Sequence, residues 1–504
     1  MKLPVFLYAG ILLLCACTTN NTYYIDSISG NDVNSGLSES KAWKSLSKIK
    51  DIELSPGDRV LLKNGSSFWG EFDITAKGTK DKPIVIGSYG DEGSNPPCII
   101  GNDQSLYAVR ISNSDYLTLQ DIDIINTGKE PLAGRTGLKI ECINHGISHN
   151  IRIDNITVRD VNGSLVKEEG GGSGILIENG GDSILSRFDS LTIENCHILR
   201  CTRNGIIWNG YYDRRKWYPS KHTVVRNNLI EQVPGDGIVP IGCDSTLIEY
   251  NIMRNCPDVL PMTEAAAGIW PWSCDNTVIQ FNEVSDHKAP WDAQGFDSDY
   301  NCNNTIIQYN YSHDNYGGMA LICNNGIDTD YNCGNNGTIL RYNISVGDGI
   351  RPKETRQGMF SPGLHIAGSV KNSLIEKNII HLNKKASHEI NNAMIVSDSW
   401  SGFADSTLFR SNIFYSHDRS YISMTQSKNN IWDNNYFIGK YDSIQINNNN
   451  KAISEFYNAN ILEKDRKGYG FYHTLMNEHK LKGISGNIID KEKIESFWNN
   501  IVAQ

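Results

Sequence analysis

Two aspartates stand two residues apart in segment 295–300, which reads Gly-Phe-Asp-Ser-Asp-Tyr. Side chains alternate between the two faces of a β-strand, so a strand here presents the carboxylates of Asp297 and Asp299 on one face. The preceding copy of the same Gly-led unit carries Trp270 and Trp272 at the equivalent positions. Carboxylates can act as acid, base, nucleophile or metal ligand, and aromatic rings pack against sugar rings. The pattern predicts a carbohydrate-processing surface, with the aspartates catalytic and the tryptophans binding substrate.

Further polar residues follow in the neighbouring turns. His313 and Asp314 come just after the aspartate pair, where either could take part in catalysis, although an aspartate in such a turn can also serve only to form it. His365 occupies the corresponding outward position of a later strand and is expected to contact substrate. Lys288 and Arg351 lie in turns that flank the same window.

Segment 211–218 reads Tyr-Tyr-Asp-Arg-Arg-Lys-Trp-Tyr and combines flat rings with cations. Tyr212 and Trp217 could stack on sugar rings, and Arg214 and Arg215 could hold a carboxylate or sulfate through paired hydrogen bonds. The same residues could instead cover the sheet, because Tyr and Trp also pack well. Both interpretations stay open here, and substrate binding is the prediction carried forward.

A recurring unit organises the chain from about residue 100 to about residue 440. Each unit ends an Ile/Val/Leu-x-x stretch with an asparagine, at a spacing of 23 to 35 residues: Asn228, Asn251, Asn282, Asn310, Asn343, Asn378 and Asn412. Repeats of this length made of short strands are typical of a solenoid, in which stacked asparagines bridge successive coils through their amides. The pattern resembles right-handed parallel β-helices of the pectate-lyase kind, which implies an all-β fold.

Both ends of the solenoid are expected to carry caps. Trp43, Leu46 and Ile49 recur at helical spacing before short strands, and this opening resembles the start of family 9 polysaccharide lyases, which implies an N-terminal cap. Two apolar triplets predict a partly helical C-terminal cap packed across the last coil: Ile453, Phe456 and Tyr457, then Ile494, Phe497 and Trp498. The expected domains are a cap with the first strands at 23–100, the β-helix at 101–440 and a C-terminal cap or tail at 441–504.

The first residues resemble the export signal of bacterial lipoproteins. An apolar run from residue 3 to residue 14 is too short to span a bilayer. It ends in Leu-Cys-Ala-Cys, which resembles a lipobox and implies a signal peptide at 1–16, a lipidated Cys17 and a linker at 17–22. The alternative is a plain signal peptide cut near Ala16. The resemblance places the protein in the cell envelope, lipid-anchored to the outer membrane and facing the periplasm or the cell surface.

Charge and cysteine content narrow the partners. The formal net charge of −10 argues against nucleic acid, because a basic face is the usual footprint of such binding. Among the 12 cysteines, five fall at the ends of Gly-led strands and predict a buried stack of thiols: Cys142, Cys243, Cys274, Cys302 and Cys323. The sequence has no Cys-x-x-Cys pair, so zinc is not expected. We expect a monomer whose partner is a polysaccharide or oligosaccharide.

Three functions fit these features. In a glycoside hydrolase, which needs no cofactor, one aspartate protonates the leaving oxygen and another activates water or attacks the sugar. The segment 295–300 and the Asn-Thr-Ile-Ile-Gln-Tyr-Asn stretch after it resemble β-helix glycoside hydrolases such as family 141. In a polysaccharide lyase, Asp297, Asp299 and Asp314 would hold Ca²⁺ against a uronate while a Lys or Arg removes the proton. The third function is non-catalytic glycan binding, and the hydrolase is the prediction carried forward.

Overall fold

Short parallel strands are the main secondary structure in the computed structural model of this protein. The structure describes residues 20–91, 93–326, 332–352, 354, 359–382, 392–446, 449–450 and 491–502. The predicted signal peptide, Cys17, and the triplet Ile453, Phe456 and Tyr457 lie outside the described residues. No helix in the described ranges is long and apolar enough to cross a membrane.

Sheet A, which has 14 strands, gains one strand with each coil of the chain, and every pairing along it is parallel. Its inward positions are Val, Ile, Leu and Phe, which stack on the same residue types above and below. Its strands are Thr22–Ile25, Arg59–Lys63, Ile84–Tyr89, Leu117–Gln120, Ile151–Asp154, Thr192–Glu194, Val224–Arg226, Leu247–Glu249, Val278–Gln280, Ile306–Gln308, Ile339–Arg341, Leu374–Glu376, Leu408–Arg410 and Ile431–Asp433.

Sheet B follows sheet A around each coil. Its strands are Ser67–Trp69, Cys98–Ile100, Asp123–Asn126, Thr157–Val161, His197–Cys201, Leu229–Glu231, Ile252–Arg254, Glu283–Ser285, Tyr311–His313, Ile344–Val346 and Ile379–Leu382. They pair in that order and continue into the first halves of Ile413–Ser423 and Tyr436–Ile446. Tyr436–Ile446 also pairs antiparallel with Asn449–Asn450.

Sheet C is the third wall and contains the Gly-led strands. Its strands are Phe72–Ile74, Tyr107–Ser112, Arg135–Ile143, Gly172–Gly180, Asn204–Asn209, Ile238–Val239, Phe296–Ser298, Ala320–Asn324, Leu364–Gly368 and Ala393–Asp398. Bridges from Ile269 to Ile238 and to Phe296 continue the sheet through the coil that contains Trp270 and Trp272. These three walls around one apolar core confirm the predicted parallel β-helix.

Smaller elements close the corners and loops. Corner strands stack as Ile147–His149, Arg187–Asp189, Ser220–Lys221 and Cys243–Asp244, then as Asn335–Asn336, Val370–Lys371, Ala404–Asp405 and Ser427–Lys428. Two loop strands, Ala265–Ala266 and Trp291–Asp292, pair with each other. The helical elements are Glu39–Lys41, Leu46–Asp51, Lys167–Glu169, Arg214–Lys216 and the α-helix Lys491–Val502.

The predicted asparagine column is confirmed at the corner between sheets A and B. Each amide Nδ2 donates to the Oδ1 of the next asparagine at 2.8–3.0 Å, from Asn228 through Asn412 and on to Asn435. The residue before each one has a left-handed backbone, as at Phe281 and Tyr309, which turns the chain sharply into sheet B. An amide suits this corner because it donates and accepts at once.

The cysteine stack is confirmed for part of the predicted set. Cys243, Cys274 and Cys302 are free, buried thiols on consecutive rungs of the core, and the Cys243 amide donates to the Cys274 sulfur at 3.3 Å. Cys142 is also a buried core thiol. Cys323 does not belong to this stack, because its side chain faces outward from sheet C into a separate cluster with Leu321 and Trp400.

The C-terminal helix forms as predicted but packs in a different place. Ile494, Phe497 and Trp498 are buried, yet they contact the outer surface of middle rungs, in a cluster with residues that include Tyr309 and Ile344. The hydroxyl of Tyr309 also donates to Glu495 at 2.6 Å. The expectation that this triplet covers the last coil is therefore wrong, because exposed aromatic residues on the side wall offer it an apolar surface.

We expect Asn310→Ala to lower the free energy of unfolding by about 3 kcal/mol or more. The side chain of Asn310 is fully buried and bonds to Ile279, Asn282 and Asn343, so removing it leaves several buried groups unpaired at about 1–3 kcal/mol each. Urea unfolding measures the loss. Asn95→Ala, at an exposed position, is the control and should change stability by less than about 0.5 kcal/mol. Equal effects of the two substitutions would contradict a structural role for the column.

Candidate functional site

A cavity of about 230 Å³ opens on the outer face of sheet C. Aromatic side chains form much of its wall: Trp270, Trp272, Tyr300 and Trp400. Carboxylates from four positions also reach it: Asp236, Asp292, Asp297 and Asp299. Lys167 contributes a cation at the edge. The sequence-predicted aspartate pair and tryptophan pair thus share one cavity.

The strand register explains why these side chains meet. Trp270 and Asp297 follow Ile269 and Phe296, which pair across adjacent rungs, so the indole and the carboxylate are neighbours in one outward column. Asp297 then pairs with Leu321, and Leu321 with His365. Adjacent strands lie about 4.8 Å apart, which brings successive members of the column within reach of one sugar.

The leading glycine of each strand predicts which of the following residues face outward, and in two later rungs this prediction is wrong. Counting from the glycines places Ala320, Ile322, Ile395 and Ser397 outward, but the structure turns Leu321, Cys323, Val396 and Asp398 outward instead. The reason is that Met319 and Met394 occupy the position that Gly295 and Gly363 hold in their own rungs. Counting from the nearest glycine therefore shifts both strands by one residue, and a one-residue shift exchanges their faces.

Asp297 is the most enclosed of the paired aspartates, at 4% exposure. Its Oδ1 accepts one hydrogen bond, from the Leu321 amide at 3.3 Å. Burial raises its pKa well above the usual range, and the charges of Asp292 and Asp299 add to the effect. Burial therefore favours the protonated form of Asp297.

Asp299 is half-buried and better supplied with donors. Its Oδ1 accepts from the Tyr300 amide at 2.6 Å and from the Cys323 thiol at 3.1 Å. Burial raises its pKa to about 6, while these two hydrogen bonds oppose the rise because they favour the carboxylate. Asp299 is mostly ionised above pH 6. Cys323 is thus a site residue that the sequence analysis places in the core.

Asp292 is the carboxylate that sequence reasoning missed. It lies in the loop strand Trp291–Asp292, half-buried, and within the described residues its carboxylate accepts no hydrogen bond. Burial raises its pKa, and the positive charge of Arg351 is the largest opposing influence. Asp292 and Ala293 both have left-handed backbones, with φ of 56° and 60°, which is rare for consecutive non-glycine residues. Strand alternation cannot place a loop residue, so only its acidic side chain could have drawn attention to it.

The indole nitrogen of Trp270 is hydrogen-bonded to a buried network of charged side chains. Its Nε1 donates to Asp236 at 3.0 Å, and Asp236 pairs with Arg203 at 3.1 Å, with both charged side chains 1% exposed. Arg203 also pairs with Glu264 at 3.2 Å. Because Trp270 is only 7% exposed, it serves more as a fixed wall than as an open stacking surface.

The loop at 211–218 reaches the cavity through one contact. Tyr212 stacks on Trp272 with ring centroids 5.2 Å apart. Trp217 donates to the Ser273 carbonyl at 2.9 Å, and Arg214 pairs with Asp275 at 2.9 Å. Arg215 pairs with Asp213 in its own turn. Arg214 and Trp217 therefore fasten the loop to the β-helix, while Tyr212 fixes a wall of the cavity.

His313 and Asp314 lie on sheet B, away from the cavity. His313 bonds to Asp314 at 2.8 Å and to Glu283 at 3.2 Å, and these carboxylates raise its pKa to about 9 against the opposing effect of burial. Asp314 has a left-handed φ of 56° and forms the corner. The proposed calcium set of Asp297, Asp299 and Asp314 is not assembled, and the described ranges contain no group of three or more His, Cys, Asp or Glu side chains placed to hold a metal ion.

His365 is one side chain removed from the cavity. It is buried in the same outward column as Asp297, and its Nε2 lies 2.6 Å from Asp398. Its ring meets Trp400, a cavity wall, edge-to-face at a centroid distance of 5.5 Å. The predicted contact with substrate would therefore pass through Trp400.

The comparisons with known proteins agree with this architecture. Residues 173–352 match the family model described as right handed beta helix region. The chain is similar in structure to the GH136 lacto-N-biosidase from Eubacterium ramulus. The native crystal structure has 27% identity and a TM-score of 0.57, covering 71% of this chain and 64% of that one. The selenomethionine derivative gives 23% identity and a TM-score of 0.61, covering 82% and 68%. The predicted right-handed fold is confirmed.

One relative is a lacto-N-biosidase from Bifidobacterium longum subsp. longum. It is 27% identical over 452 residues, which cover 70% of this chain but only 27% of that protein. This chain therefore spans about a quarter of that relative. The sequence pattern resembles family 141, whereas these relatives bear the name lacto-N-biosidase, in one case with the family label GH136.

We expect Asp297→Asn to flatten the pH dependence of stability. Asp297 ionises near 3.8 when unfolded and at a higher pH when folded, so its contribution is full below pH 3.8 and is lost as pH rises towards the folded pKa. The slope reaches at most about 1.4 kcal/mol per pH unit. An asparagine keeps the shape without the ionisation, so the variant should unfold at higher urea concentration than the native protein at pH 8. If the free energies of unfolding of the native protein and of Asp297→Asn changed in parallel from pH 4 to pH 8, the raised pKa of Asp297 would be contradicted.

Proposed function

We propose that this protein is a glycoside hydrolase that cleaves oligosaccharides of the kind a lacto-N-biosidase acts on. One observation carries the proposal: Asp292, Asp297 and Asp299, all with raised pKa values, line one aromatic-walled cavity. Glycoside hydrolysis needs a carboxylic acid that keeps its proton beside a carboxylate that has lost it. The similarity to lacto-N-biosidases supports the same class of reaction.

Asp292 and Asp299 are the proposed reacting pair. Both are half-buried and more accessible than Asp297, which is buried. Asp292 accepts no hydrogen bond from the described residues and has a raised pKa, which suits an acid that protonates the leaving oxygen. Asp299, with two donors and a pKa of about 6, suits the carboxylate that attacks the sugar or activates water. Burial of Asp297 raises its pKa, which favours the neutral acid and limits the negative charge of the site.

The cavity walls supply the binding surface for a sugar. Trp272 and Trp400 offer ring area, and Tyr212 keeps the Trp272 ring in place. Lys167 Nζ lies 5.8 Å from the Trp270 ring centroid, where it can donate to a sugar hydroxyl. Burial of a sugar here excludes water from the carboxylates, which strengthens their electrostatic effect on the transition state.

We expect Asp292→Asn and Asp299→Asn each to lower kcat by about 100-fold or more on a cleaved substrate, since removing an acid or base commonly costs that much. The assay combines a panel of oligosaccharides, including lacto-N-biose-terminated ones, with detection of new reducing ends. Asp314→Asn is the matched control and should retain full turnover, because Asp314 forms a corner on sheet B. Asp297→Asn should keep at least about a tenth of it, because asparagine mimics the protonated acid.

Two results would contradict this proposal. Melting temperatures confirm folding of each variant, and turnover above about a tenth in folded Asp292→Asn and Asp299→Asn would place the reaction elsewhere. Unsaturated, ultraviolet-absorbing products in place of simple reducing ends would identify a lyase.

We also propose that Cys17 carries lipid and anchors the protein in the cell envelope. The support is the apolar run that ends in Leu-Cys-Ala-Cys. Expressed in bacteria, the native protein should fractionate with membranes, and Cys17→Ala should move to the soluble fraction. Unchanged fractionation of Cys17→Ala would count against acylation.

A further inference from the structure

Arg351 is a buried arginine whose contacts converge on one loop. It is 2% exposed, and among the described residues its guanidinium donates to backbone carbonyls rather than to a carboxylate. Nη1 bonds to Ala289 at 2.7 Å and also to Pro290, and Nη2 bonds to Asp292 at 2.7 Å. One rigid, planar group thus fixes the chain from 289 to 292 in three places.

This loop needs such a restraint because its backbone is unfavourable. Asp292 and Ala293 both adopt left-handed φ values without the freedom of glycine. Gly317 also packs closely against the loop, since an added Cβ there would lie 2.2 Å from the Asp292 carbonyl oxygen. Arg351 and Gly317 therefore both restrain the loop, and its direction decides where the Asp292 carboxylate lies.

We propose that Arg351 is a positioning residue for Asp292: it fixes the strained loop backbone that carries this carboxylate into the cavity and places a permanent positive charge beside it. The inference rests on the proposed function, in which Asp292 is the acid. Arg351 touches neither the cavity nor a sugar bound there, since it is absent from the cavity wall. Its effect on the reaction passes through the loop.

The charge of Arg351 should be visible in the pH dependence of the reaction. Several titratable or charged groups face Asp292: the cations Arg351 and Lys167, the imidazole of His365, and the carboxylates Asp236, Asp297 and Asp299. Arg351 contributes the largest attraction for the ionised form. Its removal therefore favours the protonated acid and moves the basic limb of the kcat profile to higher pH.

The test compares Arg351→Lys and Arg351→Met with Arg135→Lys. Arg135 is a matched control because it is fully buried and likewise donates to loop carbonyls, those of Glu130 at 3.0 Å and Ser105 at 3.3 Å. Its strand lies four rungs before Trp270 along sheet C. Measured quantities are the melting temperature, kcat and KM across pH, and amide hydrogen exchange in peptides that cover residues 289–294.

Both Arg351 variants should lose about tenfold or more in kcat while KM changes by less than about threefold, because a misplaced acid slows the chemical step more than binding. The pH at which kcat falls on the basic side of its profile should rise by about half a unit or more in Arg351→Met. It should not change in Arg351→Lys, which keeps the charge. Exchange at 289–294 should accelerate in both. Arg135→Lys should lose melting temperature with kcat within about twofold of native.

The inference is overturned if Arg351→Lys matches Arg135→Lys in kcat and leaves the exchange of 289–294 unchanged. Arg351→Lys decides this alone if Arg351→Met does not fold. A failure of the proposed function is separate and visible: Asp292→Asn would then stay active, whereas failure of this inference leaves Asp292→Asn inactive and the Arg351 variants near native.

Discussion

Parallel stacking of one coil on the next governs everything else in this structure. Each rung pairs its backbone with the rungs above and below, and an error of one residue would exchange the inner and outer faces. The asparagine column from Asn228 to Asn435 resists such slippage, since every buried amide must find its partner on the neighbouring coil. An aliphatic core alone would tolerate more variation in register than this column does.

The fixed register lets sheet C bring together side chains that are far apart in the chain. Trp270, Asp297 and Leu321 become neighbours because they occupy equivalent positions of successive coils. The loops between coils then convert a flat sheet into a cavity. Buried arginines restrain these loops. Arg203 does so through ion pairs with Asp236 and Glu264, and Arg351 through hydrogen bonds to backbone carbonyls. The stacked core provides the rigidity, and the loops provide the chemistry.

The fold and half of the site could be predicted from the sequence because they depend on local periodicity. The asparagine spacing identified the solenoid, and alternation placed Asp297 and Asp299 on one outward face. Prediction failed where a contact depends on loop paths or on the neighbouring rung. Cys323 faces Asp299 because Met319 takes a position that glycine holds in other rungs. Asp292 enters the cavity through a loop that no periodicity describes, and the C-terminal helix packs on the side wall through long-range apolar contacts.

The most direct test of the account is a crystal structure of Asp292→Asn with an intact, lacto-N-biose-terminated oligosaccharide. We expect the sugar to lie in the sheet C cavity against Trp272 and Trp400, with its glycosidic oxygen within hydrogen-bond distance of residue 292 and the sugar carbon facing Asp299. A sugar bound on sheet B beside His313, with the cavity empty, would contradict it.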